Sequence, residues 1–180
     1  MNDMIPAWVD GELIPVEKLD VHLRGLRHRA VSVFVMHGHE LLLQQRADGK
    51  YHSSLLWANT CCTHPLWGES GIECANRRLN EEMGLKDLYP SYACTLEYRA
   101  DVGNGMIEHE VVDVFLCMLR DKPVCTPNPD EVADVKWVDL YDLIAATRRH
   151  PGDYAPWLRI YLKDHVDAIF GTASQLAVSR

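Results

Sequence analysis

The 180-residue chain is long enough for one domain that buries roughly 70% of its unfolded surface, and 47% hydrophobic against 24% charged residues sets it apart from disordered and fibrous classes. A formal net charge of −8 makes it a poor partner for a nucleic-acid backbone, although a local cluster of Lys and Arg could still take a small anion. The start, MNDMIPAWVDGELIP, has neither the basic end nor the apolar run of a leader, no stretch is long enough to span a bilayer, and six cysteines without a secretion signal predict free thiols in a reducing compartment, the cytoplasm.

Residues 1–17 read as an N-terminal extension. RAVSVFVM (29–36), HGHE and LLLQQR (41–46) read as strand, turn and strand. The stretch 47–68 is rich in Gly, Ser, Trp and Cys and reads as an irregular loop. SGIECANRRLNEEMGL (70–85) reads as a helix: Ile72, Ala75, Leu79 and Met83 recur at helical spacing, Ser70 and Glu73 form a capping-box pattern, and Gly84 stands where a helix ends. SYACTLEYRA (91–100) and MIEHEVVDVFLCML (106–119) read as strands joined by the DVGNG turn, and CTPNPDE (125–131) as a loop. VADVKWVDL (132–140) reads as a further strand, with helices over 139–149 and 156–170. The pattern predicts one α/β (α+β) domain over 1–180, a mixed β-sheet with flanking helices.

Within ANTCCTHP (58–65) two adjacent cysteines stand beside a histidine. A disulfide between neighbours is strained, and the pair is too close for a C-x-x-C clip, so the thiols serve packing, a metal or chemistry. Cys61, Cys62 and His64 are also spaced too tightly for the usual structural-zinc gaps. Glu108 and Glu110 share one face of a strand, where side-by-side carboxylates repel unless a cation neutralises them; the alternative is a solvated edge strand. His22, His28 and His64 lie on separate elements and are each either ordinary histidines or ligands. Three imidazoles with two carboxylates would suit manganese, magnesium, iron or zinc. Glu69, Glu81 and Glu82 gather near the ends of the 70–85 helix, either as a solvated face with ion pairs or as a cation site beside a phosphate. Lys18, Arg46, Lys50, Arg77 and Arg78 are either salt-bridge partners or a phosphate pocket.

HLRGLRHRAVSVFVM (22–36), WANTCCTHP (57–65) and IEHEVVDVF (107–115) together resemble segments of the type I isopentenyl-diphosphate isomerases, a family with the Nudix fold. The likeness runs from Lys18 to the helix containing Trp157, and WANTCCTHP is its most specific part. The 70–85 helix departs from the Nudix hydrolase pattern, Gly, five residues, Glu, seven residues, Arg-Glu-x-x-Glu-Glu-x-Gly. Glu69, Arg77, Glu81, Glu82 and Gly84 fit it, whereas Thr63 replaces the leading glycine and Arg78 replaces the Glu after the arginine. Loss of that carboxylate agrees with an enzyme that leaves its diphosphate intact.

The resemblance implies conversion of isopentenyl diphosphate to dimethylallyl diphosphate by protonation and deprotonation, in isoprenoid biosynthesis. It implies that His22, His28, His64, Glu108 and Glu110 hold one divalent ion, Mn2+, Mg2+ or Zn2+, and that Glu82 binds a Mg2+ arriving with the substrate. Cys62 and Glu110 become the acid–base pair, with Tyr98 exchanging a proton with Glu110 and Trp157 sheltering a tertiary cation. Lys18, Arg46 and Lys50, helped by Arg78, would hold the diphosphate. The partner is a small-molecule diphosphate, with neither nucleic acid nor membrane. Two rivals stand beside this reading: a Nudix hydrolase of a nucleoside diphosphate derivative, and a non-catalytic metal-binding module with sensor thiols.

Overall fold

A strand apolar on both sides must be covered on both faces, and the strand Arg27–His37 (β3) is: every residue from Ala30 to Met36 is buried. The computed structural model describes residues 3–171; the rest, including the terminal segment TASQLAVSR, lie outside the described residues. Before β3 come β1 (Met4–Val9), β2 (Glu12–Glu17) and helix α1 (Lys18–Arg24). After it follow β4 (Glu40–Arg46), β5 (Trp57–Ala58), β6 (Cys61–Thr63), α2 (Gly71–Met83), β7 (Ser91–Gly103), β8 (Met106–Leu119) and β9 (Val132–Asp139). The described chain closes with α3 (Leu140–Arg149), α4 (Pro156–Asp164) and α5 (Val166–Phe170).

Along one edge β3 runs parallel to β8 for its whole length, from Arg27 beside His109 to His37 beside Leu119. Three antiparallel strands share its other edge in turn: β1 at Ala7–His28, β6 from Val31–Thr63 to Val33–Cys61, and β4 at Met36–Leu41. β7 extends the sheet past β8, and β9 pairs with β4. Side chains alternate across the sheet. Ala30, Phe34 and Met36 therefore pack with Trp157, Leu158 and Tyr161 of α4, while Val31, Val33 and Val35 pack with Cys74, Leu79 and Met83 of α2.

α2 carries the expected caps. Ser70 Oγ accepts the Glu73 N–H at 3.4 Å and the Glu73 carboxylate accepts the Ser70 N–H at 2.9 Å, a reciprocal cap contributing about 1 kcal/mol. Gly84 ends the helix at φ 66°, its N–H on the Asn80 carbonyl. A Cβ there would meet the Thr126 carbonyl oxygen at 2.7 Å as well as its side chain. Gly84→Ala is expected to cost about 2–4 kcal/mol, from left-handed strain plus overpacking, read as a lower urea midpoint.

The structure differs from the sequence reading in three places. Within the N-terminal extension, to which the sequence reading gave no strands, β1 and β2 form a hairpin joined to β3, turning at Asp10 and Gly11, both at positive φ (51° and 87°), as a two-residue Asp-Gly turn requires. The 47–68 loop contains β5 and β6, and β6 is held by β3. The helix read over 156–170 breaks at His165, which leaves helical backbone at φ −133° and separates α4 from α5.

Candidate active site

The sheet register assembles the site. β3 sets His28 beside Glu110 of β8, β7 sets Tyr98 opposite Glu110, and β6 sets Cys62 opposite Ser32. α1 supplies His22, His64 follows β6, and α4 supplies Trp157. All of these are buried except Cys62, which is partly covered.

His22, His28, His64 and Glu110 each place a donor atom within 4.8 Å of the others. Glu108, expected as the fifth member, groups instead with His22 and His52. His22 Nδ1–H donates to the Lys18 carbonyl at 2.6 Å and His28 Nδ1–H to the Leu26 carbonyl at 2.8 Å, which leaves each Nε2 with a bare lone pair. His22 Nε2 is buried without a partner. His28 Nε2 lies 3.1 Å from His64 Nε2 and 3.6 Å from Glu110 Oε1, and His64 Nε2 lies 3.0 Å from the same oxygen. Burial drives His22 down to about 4 and His64 well below the usual imidazole value, so both stay neutral and able to ligate. Two imidazole nitrogens and one carboxylate oxygen thus converge within 3.6 Å, and a divalent cation would satisfy all three together. The donor set fits such an ion.

Burial raises the Glu108 carboxyl well above its usual range, and the Glu110 charge adds to it. Burial also raises Glu110, but the His28 and His64 nitrogens overcome it and hold this carboxyl well below. The Tyr98 hydroxyl sits between them, 2.9 Å from Glu108 Oε2 and 2.7 Å from Glu110 Oε2. Its one proton serves only one of these bonds, so the other needs a protonated carboxyl. The three groups are joined by hydrogen bonds along which a proton can pass. Cys62 faces the same cleft. Burial, then Glu110 and Glu108, push its thiol well up, so it stays protonated, and Ser32 Oγ donates to its sulfur at 3.3 Å. Cys61 points to the opposite face, into the core under α2.

The cleft has a basic mouth of Lys18, Arg46, Lys50 and Arg78. Burial lowers the Lys18 ammonium, and Arg78 and Lys50 lower it further. Lys50 is paired with Glu131, which Arg78 also reaches at 3.2 Å. Arg46 lies 5.2 Å over the Trp157 ring and donates to the His52 carbonyl at 3.1 Å. Glu82 accepts from Arg78 Nε at 2.8 Å and Gln44 Nε2 at 2.9 Å, and belongs to neither donor group. The cleft holds about 30 Å³, room for about one water. A larger cavity of about 530 Å³ lies on the far side of α4, against Arg159, Ile160 and Lys163.

Of the remaining helix carboxylates, Glu69 is structural: Arg77 grips it at 2.6 and 2.8 Å, and it accepts the Leu66 N–H. The Arg77 hydrogen bond holds its carboxyl below the usual range. A depressed folded-state value contributes stability above the unfolded value and loses it as pH falls through the folded one. Glu69→Gln is expected to cost about 1.5–3 kcal/mol at pH 7, a gap that closes below pH ~4; urea titrations at pH 7 and pH 3 check this.

Sequence reasoning missed His52, Ser32 and Tyr161, whose hydroxyl lies 3.1 Å from Ser32 Oγ. His52 sits in a loop without periodicity, and Ser32 and Tyr161 are polar members of apolar runs; only the pairing of strands reveals them. All six cysteines are free, and among the described residues no helix is long and apolar enough to cross a membrane.

Residues 26–159 match the NUDIX domain. The chain is 61% identical to a protein of Dinoroseobacter shibae named isopentenyl-diphosphate Delta-isomerase, over 97% of this chain and 99% of that one. It is 59% identical to a Cereibacter sphaeroides protein of the same name, over 95% and 97%. Among solved structures it resembles DR0079 of Deinococcus radiodurans (TM-score 0.65, 14% identity, 84% of this chain and 91% of that one). It also resembles the MutT NUDIX hydrolase of Burkholderia pseudomallei (TM-score 0.60, 21% identity, 77% and 98%). These two likenesses bear on the fold alone.

Proposed function

The chain belongs to the isopentenyl-diphosphate Delta-isomerases of the NUDIX superfamily, and from that premise we propose that Cys62 and Glu110 shift the double bond of isopentenyl diphosphate to give dimethylallyl diphosphate, a step of isoprenoid biosynthesis. The observation that carries this assignment is one cleft into which a thiol from β6, a carboxyl from β8 and a cationic mouth converge.

An unactivated alkene is a very weak base. A proton added to its terminal carbon breaks the π bond and leaves a tertiary cation; a proton lost from the neighbouring carbon forms the new double bond. Cys62 and Glu110 are the two groups, one giving and one taking, and Tyr98 exchanges a proton with Glu110 through the bond between them. The Trp157 indole shelters the cation by cation–π attraction, about 0.5–2 kcal/mol, and keeps out water that would trap it as an alcohol. Lys18, Arg46, Lys50 and Arg78 hold the diphosphate, so that binding energy at the unreactive end orients the reacting carbons. Glu82 would bind a Mg2+ that comes with the diphosphate. His22, His28, His64 and Glu110, joined by Glu108, would hold the second ion, whose charge would keep the carboxylates ionised. Manganese, magnesium and zinc all suit these ligands. Six free thiols suit a reducing compartment, and we place the enzyme in the cytoplasm.

A hydrolase reading is disfavoured by Arg78, which stands where that pattern has a carboxylate and ties down Glu82 at 2.7 Å. Proton NMR with isopentenyl diphosphate and Mg2+ in deuterated water tests the proposal. The expected result is dimethylallyl diphosphate carrying deuterium, with no inorganic phosphate or diphosphate released. Release of either would favour hydrolysis, and no change in a metal-loaded sample would point to a binding module.

A further inference from the structure

We propose that His52 is an additional protein ligand of the divalent ion, reaching it together with Glu108. This rests on the reading that His22, His28, His64 and Glu110 hold that ion. His52 is 5% exposed although its neighbours Tyr51 and Leu55 are open to solvent. Its ring stacks on His22, centroids 5.8 Å apart, and its Nε2 lies 3.5 Å from Glu108 Oε1. Its Nδ1 lies 3.3 Å from Ser53 Oγ. His22 and His28 likewise have an oxygen at Nδ1, in their case a backbone carbonyl, and leave Nε2 for the site. An outer partner on one ring nitrogen is how proteins orient a metal-binding imidazole.

The two donor groups belong to one ion. They share His22, whose Nδ1–H is already given to the Lys18 carbonyl, so it offers a single lone pair, on Nε2, and one lone pair serves one ion. The Tyr98 hydroxyl also bridges the groups, touching a carboxyl oxygen of each. His52 lies in loop 47–56, between β4 and β5. That loop carries Lys50, and Arg46 holds it through the His52 carbonyl. Ligation by His52 would therefore tie the ion to two residues of the cationic mouth.

Cobalt(II) alone is the probe, added to the full-length metal-free protein. Affinity is read by chelator competition and coordination by the visible d–d spectrum. In wild type the proton NMR spectrum of the cobalt form is expected to show four hyperfine-shifted imidazole N–H signals, from His22, His28, His52 and His64. His52→Ala is expected to remove one of them, weaken Co2+ binding at least tenfold and intensify the d–d bands as a ligand is lost. Three signals in wild type would overturn the proposal even if the variant failed to fold. Unchanged affinity and spectrum in a folded variant would overturn it too, leaving the four-residue site in place. Failure of wild type to bind Co2+ would overturn both readings.

Discussion

Cys62→Ala is expected to lower isomerisation by about 10²–10⁴-fold, the range for removing a positioned acid–base group, or roughly 3–5.5 kcal/mol of barrier. The thiol shares the cleft with the two carboxyls, and in the proposed mechanism it acts on the reacting carbons rather than on the diphosphate, so the loss should fall on kcat with little change in KM. Cys61 is the internal control. Adjacent strand residues face opposite ways, and Cys61 is buried beneath α2 among Val31, Val33 and Cys74. Cys61→Ala should keep turnover within a few-fold and cost stability instead, about 1 kcal/mol. Measuring both variants by the NMR assay and by urea unfolding separates chemistry from packing. Undiminished isomerisation in Cys62→Ala would remove the thiol from the mechanism, and a loss shared equally by Cys61→Ala would make it a matter of the strand rather than the sulfur.

The contrast between the two cysteines shows what could be read without a structure. Period and punctuation carried the long elements: the apolar VSVFVM run announced a strand, and Ser70, Glu73 and Gly84 marked the ends of α2. The N-terminal hairpin was obscured because Pro6 and Pro15 lie opposite one another in it, and proline argues against a strand unless the strand is at an edge. Its Asp10-Gly11 turn was the available signal. β6 has three residues, too few for alternation to show, and the break at His165 has neither Gly nor Pro to announce it. The site residues came from a resemblance between segments. Their meeting depends on β3 lying parallel to β8, a non-local pairing to which no local pattern points. His52 lay beyond either route: it has no periodic neighbours and only the folded loop brings it to His22.

Glu110 is the residue on which most of the site converges, and Glu110→Gln should have the widest effect. It removes the negative charge facing His28 and His64 and turns one oxygen of the Tyr98 bond into an amide nitrogen that cannot accept. Turnover is expected to fall by 10²–10⁴-fold or so, from loss of an acid–base group. Affinity for the divalent ion should fall by at least about tenfold, because the ligand loses its charge. These losses separate by experiment. With metal raised until the variant is fully loaded, the binding defect disappears and the chemical one remains. Glu110→Asp sharpens the test: it keeps the charge but withdraws it by one methylene from Tyr98 and from the substrate cleft. Metal affinity should then recover more than turnover does. If saturating metal restored Glu110→Gln to wild-type rates, Glu110 would be a ligand only, and the second proton-transfer group would have to be sought in Glu108 or Tyr98, the other members of the buried relay.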